Sequence, residues 1–124
     1  MELMLLMVLV GIGGGCGAVL RYAVSTFASR WDIFPSGTLV VNVVGSTLLS
    51  MTVYIQPTTS VIYFFNSGVL GAFTTFSTFG YETFRLIETG RWLLAIFNVL
   101  VNLGLCITGV FIGRWFVATI VFGM

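Results

Sequence analysis

The chain has 124 residues, of which 58% are hydrophobic and only 7% charged, and its mean hydropathy is +1.10. A soluble domain carries about 25% charged residues, so this composition argues strongly against a water-soluble protein and predicts one integral membrane domain over residues 1–124. The net charge of +1 argues against a nucleic-acid partner.

Four apolar segments are each long enough to cross a bilayer, which takes about 20 helical residues. They run from about 3 to 28, from 36 to 55, from 61 to 84, and from 92 to 113 or longer. A turn with Arg30 and Asp32, the polar run "QPTTS" at 56–60 and a loop around Gly90 separate them. The sequence therefore predicts an all-α membrane protein with four transmembrane helices per subunit.

Small and sulfur-containing residues lie within the apolar segments. Three glycine pairs have the GxxxG spacing that allows close helix contact in lipid, namely Gly11/Gly15, Gly13/Gly17 and Gly109/Gly113. The two cysteines, Cys16 and Cys106, are deep in apolar sequence, so we expect buried free thiols rather than a disulfide.

The charge distribution predicts little preference for one orientation in the membrane. The chain has five arginines and no lysine. With four crossings, Arg30, Arg85 and Arg91 fall on one side and Arg114 lies towards the other, which is a weak bias under the positive-inside rule. Two oppositely inserted copies could therefore associate about a two-fold axis in the membrane plane.

Neutral hydrogen-bonding side chains form stripes on three of the predicted helices. The stripes are Thr38 and Asn42 on the second, Thr74, Ser77 and Thr78 on the third, and Asn98, Asn102 and Cys106 on the fourth. Such groups either tie helices together or line a solute path, and three stripes favour the path. The absence of an acidic ring argues against a cation channel, whereas Arg21 could concentrate anions at a vestibule.

The stretch "GAFTTFSTF" (71–79) combines hydroxyls with phenyl rings. The positive edges of Phe76 and Phe79 could attract an anion weakly, although rings at this spacing on an apolar helix usually serve only packing. Gly71 and the threonines after it are poor helix formers, so we expect the third helix to be broken near Gly71–Thr75. A break frees carbonyls at membrane depth, which a monovalent cation or another chain could satisfy.

The chain resembles the Fluc (CrcB) family of fluoride channels. The motifs that carry the resemblance are "GGGCGAVLRY" (13–22), "GTLVVNVVG" (37–45), "GVLGAFTTFSTFGYE" (68–82) and "ETGRW" (88–92), in the family's order and spacing. They cover essentially the whole chain. The resemblance implies an antiparallel, dual-topology dimer of four-helix subunits with two pores, which passes fluoride by electrodiffusion and excludes chloride.

The resemblance also implies roles for individual residues. The residues that match pore positions are Phe76, Phe79, Asn42, Thr38, Ser77, Thr78, Asn98 and Asn102. Phe76 and Phe79 correspond to the rings whose edges line the fluoride path, and Asn42 to an asparagine that hydrogen-bonds the ion. The fourth helix departs from the family, because asparagines and Cys106 stand where a tyrosine followed by serines is usual.

Vestibule and cation positions follow from the same motifs. Arg21 and Glu82 correspond to vestibule residues. Gly71 and Thr74 correspond to the break whose backbone carbonyls hold a structural sodium ion on the dimer axis. We expect this sodium ion to be the cofactor and fluoride and membrane lipid to be the partners.

Alternatives of other kinds stay open at this stage. The size suits a small proton-coupled multidrug-type transporter, although no acid lies in the middle of the first helix. A non-transporting assembly subunit is another alternative, and a heterodimer with a second chain could replace the homodimer. We expect a multi-pass protein of the cell membrane and no enzymatic activity, because no nucleophile–base pair or metal cluster is visible.

Overall fold

In a computed structural model, residues 2–29, 34–55, 57–121 and 123 are described, and the regular elements of that part of the chain are all helical. The elements are α1 (Glu2–Ala28), α2 (Ser36–Ile55), α3 (Thr59–Val61), a π-helix π1 (Ile62–Leu70), α4 (Gly71–Phe73), α5 (Phe76–Glu88) and α6 (Trp92–Ile120). The predicted turn residues Arg30 and Asp32, and Gln56 of the polar run, lie outside the described residues.

Three helices, α1, α2 and α6, are each long and apolar enough to cross a membrane. Many of their large apolar side chains are exposed in the single chain, as expected for surfaces that face lipid or another subunit. An all-helical membrane protein is therefore confirmed. The predicted third span is divided among four shorter elements, so a fourth crossing stays a prediction.

The helical path is interrupted at Thr74 and Thr75. Both residues have extended backbone, with φ −80° and ψ 156° at Thr74 and φ −149° and ψ 120° at Thr75. The Thr75 hydroxyl then accepts a hydrogen bond from the N–H of Thr78 at 3.2 Å, so Thr75 is the N-cap of α5. The break lies at the end of the interval in which the sequence predicts it.

Close helix contact depends on two of the three predicted glycine pairs. A Cβ at Gly13 would collide with the carbonyl oxygen of Phe64 in π1, and one at Gly17 with that of Val69. Gly109 and Gly113 of α6 lie equally close to α2. The third pair, Gly11 and Gly15, has open space beside it and makes no such contact within the described chain.

The packing of α1 also corrects the expectation for the cysteines. Cys16 is a free thiol but is exposed on the single chain, and Cys106 is half-buried. The prediction that both thiols are buried is therefore wrong for Cys16. Helix α1 packs against π1 through Gly13 and Gly17, and this contact leaves Cys16 exposed.

Candidate functional site

Asn42 of α2 fills the interruption between α4 and α5. Its Nδ2 donates to the carbonyl oxygen of Thr75 at 3.0 Å, and the N–H of Thr75 donates to its Oδ1 at 2.8 Å. Both backbone polar groups of Thr75, which is 7% exposed, are thereby satisfied without a helical partner. One of the two Nδ2 hydrogens of Asn42 is left for another acceptor.

Three hydroxyls cluster at the start of α5. Thr75 Oγ1 donates to Thr78 Oγ1 at 3.0 Å and lies 3.3 Å from Ser77 Oγ. Thr74 is not part of this cluster, because its hydroxyl donates to the carbonyl oxygen of Leu70 on the other side of the break. The expectation that Thr74 shares one helix face with Ser77 and Thr78 is therefore wrong, since no continuous helix joins them.

A cavity of about 210 Å³ lies beside the hydroxyl cluster. Four of its polar lining residues come from three elements: Arg21 of α1, Thr38 of α2, the cap residue Thr75, and Thr78 of α5. The structure thus brings the predicted vestibule arginine together with two predicted pore hydroxyls. The hydroxyl of Thr78 accepts from Thr75 and keeps its own O–H as a donor, and this donor beside the Arg21 guanidinium makes the cavity suitable for an anion.

A larger cavity of about 590 Å³ adjoins the first through Thr78, which lines both. Its charged lining residues are Glu82, Arg85 and Arg91. With Arg21, the two cavities have three guanidinium groups and one carboxylate, so their combined formal charge is positive. A positive, partly enclosed region raises the local concentration of anions.

Thr38 and Glu82 connect α2 to α5 between these cavities. The hydroxyl of Thr38, which is 3% exposed, donates to Glu82 Oε1 at 2.8 Å. The other carboxylate oxygen, Oε2, is buried and has no hydrogen-bond donor among the described residues. Glu82 therefore lines the larger cavity with its carboxylate held by Thr38, and its assignment to a vestibule stays a prediction.

The two predicted pore rings lie together, with Phe76 exposed on the single chain and Phe79 half-buried. The ring centroids of Phe76 and Phe79 are 5.7 Å apart, with an interplanar angle of 53°. Phe76 is 82% exposed. Neither ring lines the two cavities described above. If this segment crosses the membrane as predicted, a ring this exposed requires lipid or a second chain against it.

The asparagines of α6 form a buried network instead of lining either cavity. Asn98, which has no exposed surface, donates through Nδ2 to the hydroxyl of Thr83 at 2.9 Å, and Thr83 donates to the carbonyl oxygen of Phe79 at 2.8 Å. Asn102 Nδ2 donates to Asn98 Oδ1 at 2.9 Å, and its own Oδ1 is buried without a donor in the described chain. In the single chain, these side chains connect α5 to α6.

The carbonyls of Gly71 and Thr74 lose their helical partners at the break. The N–H of Thr75, which would donate to Gly71, donates to Asn42 instead. The N–H of Thr78, which would donate to Thr74, donates to the Thr75 hydroxyl. No group of three or more His, Cys, Asp or Glu side chains suited to a metal occurs among the described residues. Released carbonyl oxygens are the donors by which unwound membrane helices coordinate Na⁺, so the predicted sodium site fits the chemistry present.

The sequence profile of one family matches residues 8–114, and this family is described as CrcB-like protein, Camphor Resistance (CrcB). The chain belongs to the CrcB family. Among similar curated proteins, Fluoride-specific ion channel FluC 3 of Methanosarcina acetivorans is 45% identical over 102 residues, which cover 82% of this chain and 92% of the relative.

Two further relatives extend this similarity to other organisms. Fluoride-specific ion channel FluC of Clostridium novyi is 43% identical over 121 residues, covering 92% of this chain and 94% of the relative. The protein of the same name from Shewanella sediminis is 45% identical over 112 residues, covering 85% of this chain and 90% of the relative. The similarity therefore extends over nearly the whole length of these relatives.

Sequence reasoning misses two residues that organise this candidate site. Thr75 falls within the predicted broken interval, but the sequence pattern does not indicate its capping of α5 or its pairing with Asn42. A threonine directly before an amphipathic helix is an N-cap signal that could have indicated the first role. Thr83, the partner of Asn98, has no local signal, because the contact joins separate helices.

Proposed function

We propose that this chain conducts fluoride across the cell membrane as a passive, fluoride-selective channel and has no enzymatic activity. The observation that carries the proposal is similarity over 92% and 94% of the length of two proteins named fluoride-specific ion channels, one archaeal and one clostridial by organism. A second observation supports the proposal: residues of the family motifs line the two cavities and form the helix break beside them.

The proposed conduction path begins at the arginine-lined cavities. Arg21 attracts the anion, and the hydroxyls of Ser77 and Thr78 offer hydrogen bonds that replace part of its hydration shell. Thr38 is a further proposed pore residue, which lines the smaller cavity while its hydroxyl donates to Glu82. Phenyl edges at Phe76 and Phe79 then provide weak attraction that does not trap the ion. Asn42, Asn98 and Asn102 are the remaining proposed pore residues, with Glu82 beside the vestibule.

A passive channel is sufficient for fluoride export. Neutral HF crosses membranes and dissociates inside, which leaves an anion that cannot leave unaided. A membrane potential that is negative inside drives an anion outward by about 2.3 kcal/mol per 100 mV, so no coupled ion is needed. Chloride is larger, and we expect a narrow and rigid path to exclude it.

The proposed assembly is an antiparallel, dual-topology homodimer with four crossings per subunit. The outward-facing Phe76 and the open face beside Gly11 and Gly15 are surfaces that a second copy could cover. A sodium ion on the dimer axis would be held by the carbonyl oxygens of Gly71 and Thr74. The ion would supply positive charge that stabilises the backbone of two broken helices where they meet.

Reconstitution of this chain alone in liposomes tests the proposal. We expect fluoride efflux under a K⁺ diffusion potential, with chloride efflux at the level of protein-free liposomes. Efflux of chloride at the fluoride rate, or efflux that requires a pH gradient, would contradict a passive fluoride channel. Fluoride efflux that appears only with a second chain would replace the homodimer by a heterodimer.

A second experiment tests the sodium site. We expect replacement of Na⁺ by N-methylglucamine during purification to lower fluoride flux and weaken the dimer, because the released carbonyls lose their cation. Re-addition of Na⁺ is the matched control and should restore both. Equal flux and equal dimer content in the two buffers would remove sodium from the proposal.

A further inference from the structure

We infer that Asn42 is a positioning residue, which supports conduction by holding the break at Thr75 open through its paired hydrogen bonds. The consequence for flux rests on the proposed channel function. Asn42 is expected from the family resemblance to bind the ion directly. In the structure, however, one amide N–H and the amide oxygen both go to the backbone of one residue.

The amide group of Asn42 makes the same two hydrogen bonds to Thr75 that a residue of a neighbouring β-strand would make. Thr75 has the φ and ψ of an extended strand, and Asn42 supplies one donor and one acceptor to its C=O and N–H, as a neighbouring strand would. Unpaired, these groups would be costly, because Thr75 is 7% exposed. The pairing therefore removes the main penalty for interrupting the helix.

The position of the break determines what the neighbouring residues can do. With the Thr75 N–H committed to Asn42, the Gly71 carbonyl is released for a cation. If Asn42 were absent, that N–H would lose its fixed acceptor, and the segment would fluctuate between the present break and a helix extended from α4 towards α5, with its amides opening more often than now. Each residue added to a helix turns the chain by about 100° and advances it 1.5 Å, which would displace Phe76 and Phe79 from their present positions.

Amide hydrogen exchange separates this role from direct ion binding. The test compares Asn42→Ala, which removes both hydrogen bonds, with Asn42→Asp, which keeps an acceptor for the Thr75 N–H but has no donor for its C=O. Thr47→Val is the matched control, because Thr47 lies on the same helix and its hydroxyl donates to its own helix at Val43. Each variant is reconstituted in liposomes, and the rate of its amide hydrogen exchange is measured by mass spectrometry in fluoride-free buffer.

If Asn42 positions the break, peptides covering 71–79 should exchange at least about tenfold faster in Asn42→Ala, as loss of hydrogen bonds worth about a factor of ten each allows. Asn42→Asp should show a smaller increase, and peptides of α6 should not change. Fluoride flux should fall, and the ratio of fluoride flux to chloride flux should decrease. Both effects should be larger in Asn42→Ala than in Asn42→Asp. Thr47→Val should leave exchange at 71–79 unaltered.

Unchanged exchange at 71–79 together with lost flux would overturn the inference and make Asn42 an ion ligand only. An equal rise in exchange for Thr47→Val would also overturn it, because the effect would then be general loosening of α2. If Asn42→Ala does not fold, Asn42→Asp decides the matter by the same criterion. Hydrogen exchange can be measured whether or not the protein conducts fluoride. Failure of the proposed channel function would therefore be recognised separately, as absence of fluoride flux in the unmodified chain.

Discussion

The hydroxyl of Thr38 donates to the carboxylate of Glu82 at 2.8 Å, across 44 positions of sequence and from one helix to another. This contact fixes an acidic side chain beside two cavities that otherwise have three arginines. A carboxylate near an anion path would repel the ion unless its position were controlled. In the proposed channel, Thr38 would therefore hold this carboxylate in place as well as line the smaller cavity.

Replacement of Thr38 by valine should lower fluoride flux, because the shape is kept while the donor to Glu82 is lost. Hydrogen bonds to charged groups contribute about 1.5–3 kcal/mol, so we expect measurable loss of thermal stability as well. Thr52→Val is the control, since its hydroxyl donates to Leu49 within its own helix. Equal effects of the two substitutions in liposome efflux and thermal unfolding would contradict a specific role for Thr38.

Replacement of Phe79 by isoleucine should slow fluoride flux about tenfold, which corresponds to about 1.4 kcal/mol of lost stabilisation at the barrier. Isoleucine keeps an apolar side chain but has no ring edge with positive charge. Phe111, which is 65% exposed on α6, provides a matched control as Phe111→Ile. Liposome efflux is the measurement, and unaltered flux in Phe79→Ile would refute the assignment of this ring to the pore.

The contact between Asn98 and Thr83 should appear as coupling in a double-mutant cycle. We expect Asn98→Ala and Thr83→Val to destabilise the protein singly and to be non-additive together, with a coupling free energy of about 0.5–3 kcal/mol. Chemical unfolding in detergent gives the three free-energy changes. Additive effects would mean that the 2.9 Å contact does not connect α5 to α6 energetically.

Replacement of Gly13 by alanine should destabilise the protein by about 1–3 kcal/mol, as overpacking does in a tightly packed interface. The added Cβ would collide with the carbonyl oxygen of Phe64, and a backbone atom cannot relieve the clash by a change of rotamer. Gly14→Ala is the neighbouring control, because no atom lies within 4 Å of its added Cβ. Thermal unfolding should separate the two, and equal midpoints would argue against close α1–π1 packing.

The sequence by itself determined the membrane class, the helical segments and the interval that contains the break. Apolar length predicts the spans α1, α2 and α6, and poor helix formers after Gly71 predict the interruption. The motifs also identified the family, and the profile match over 8–114 agrees with that identification. These features are local, or follow the order of residues along the chain, so they can be read without knowledge of the packing.

The tertiary structure decided which polar side chain satisfies which backbone group. Helical spacing groups Thr74 with Ser77 and Thr78, but only the folded chain shows that the break separates their hydroxyls and that Asn42 fills it from another helix. Spacing likewise aligns Asn98 with Asn102 without revealing Thr83 as the partner of Asn98. Hydrogen bonds between helices depend on how the helices approach, and that approach is set by close packing at distant positions such as Gly17.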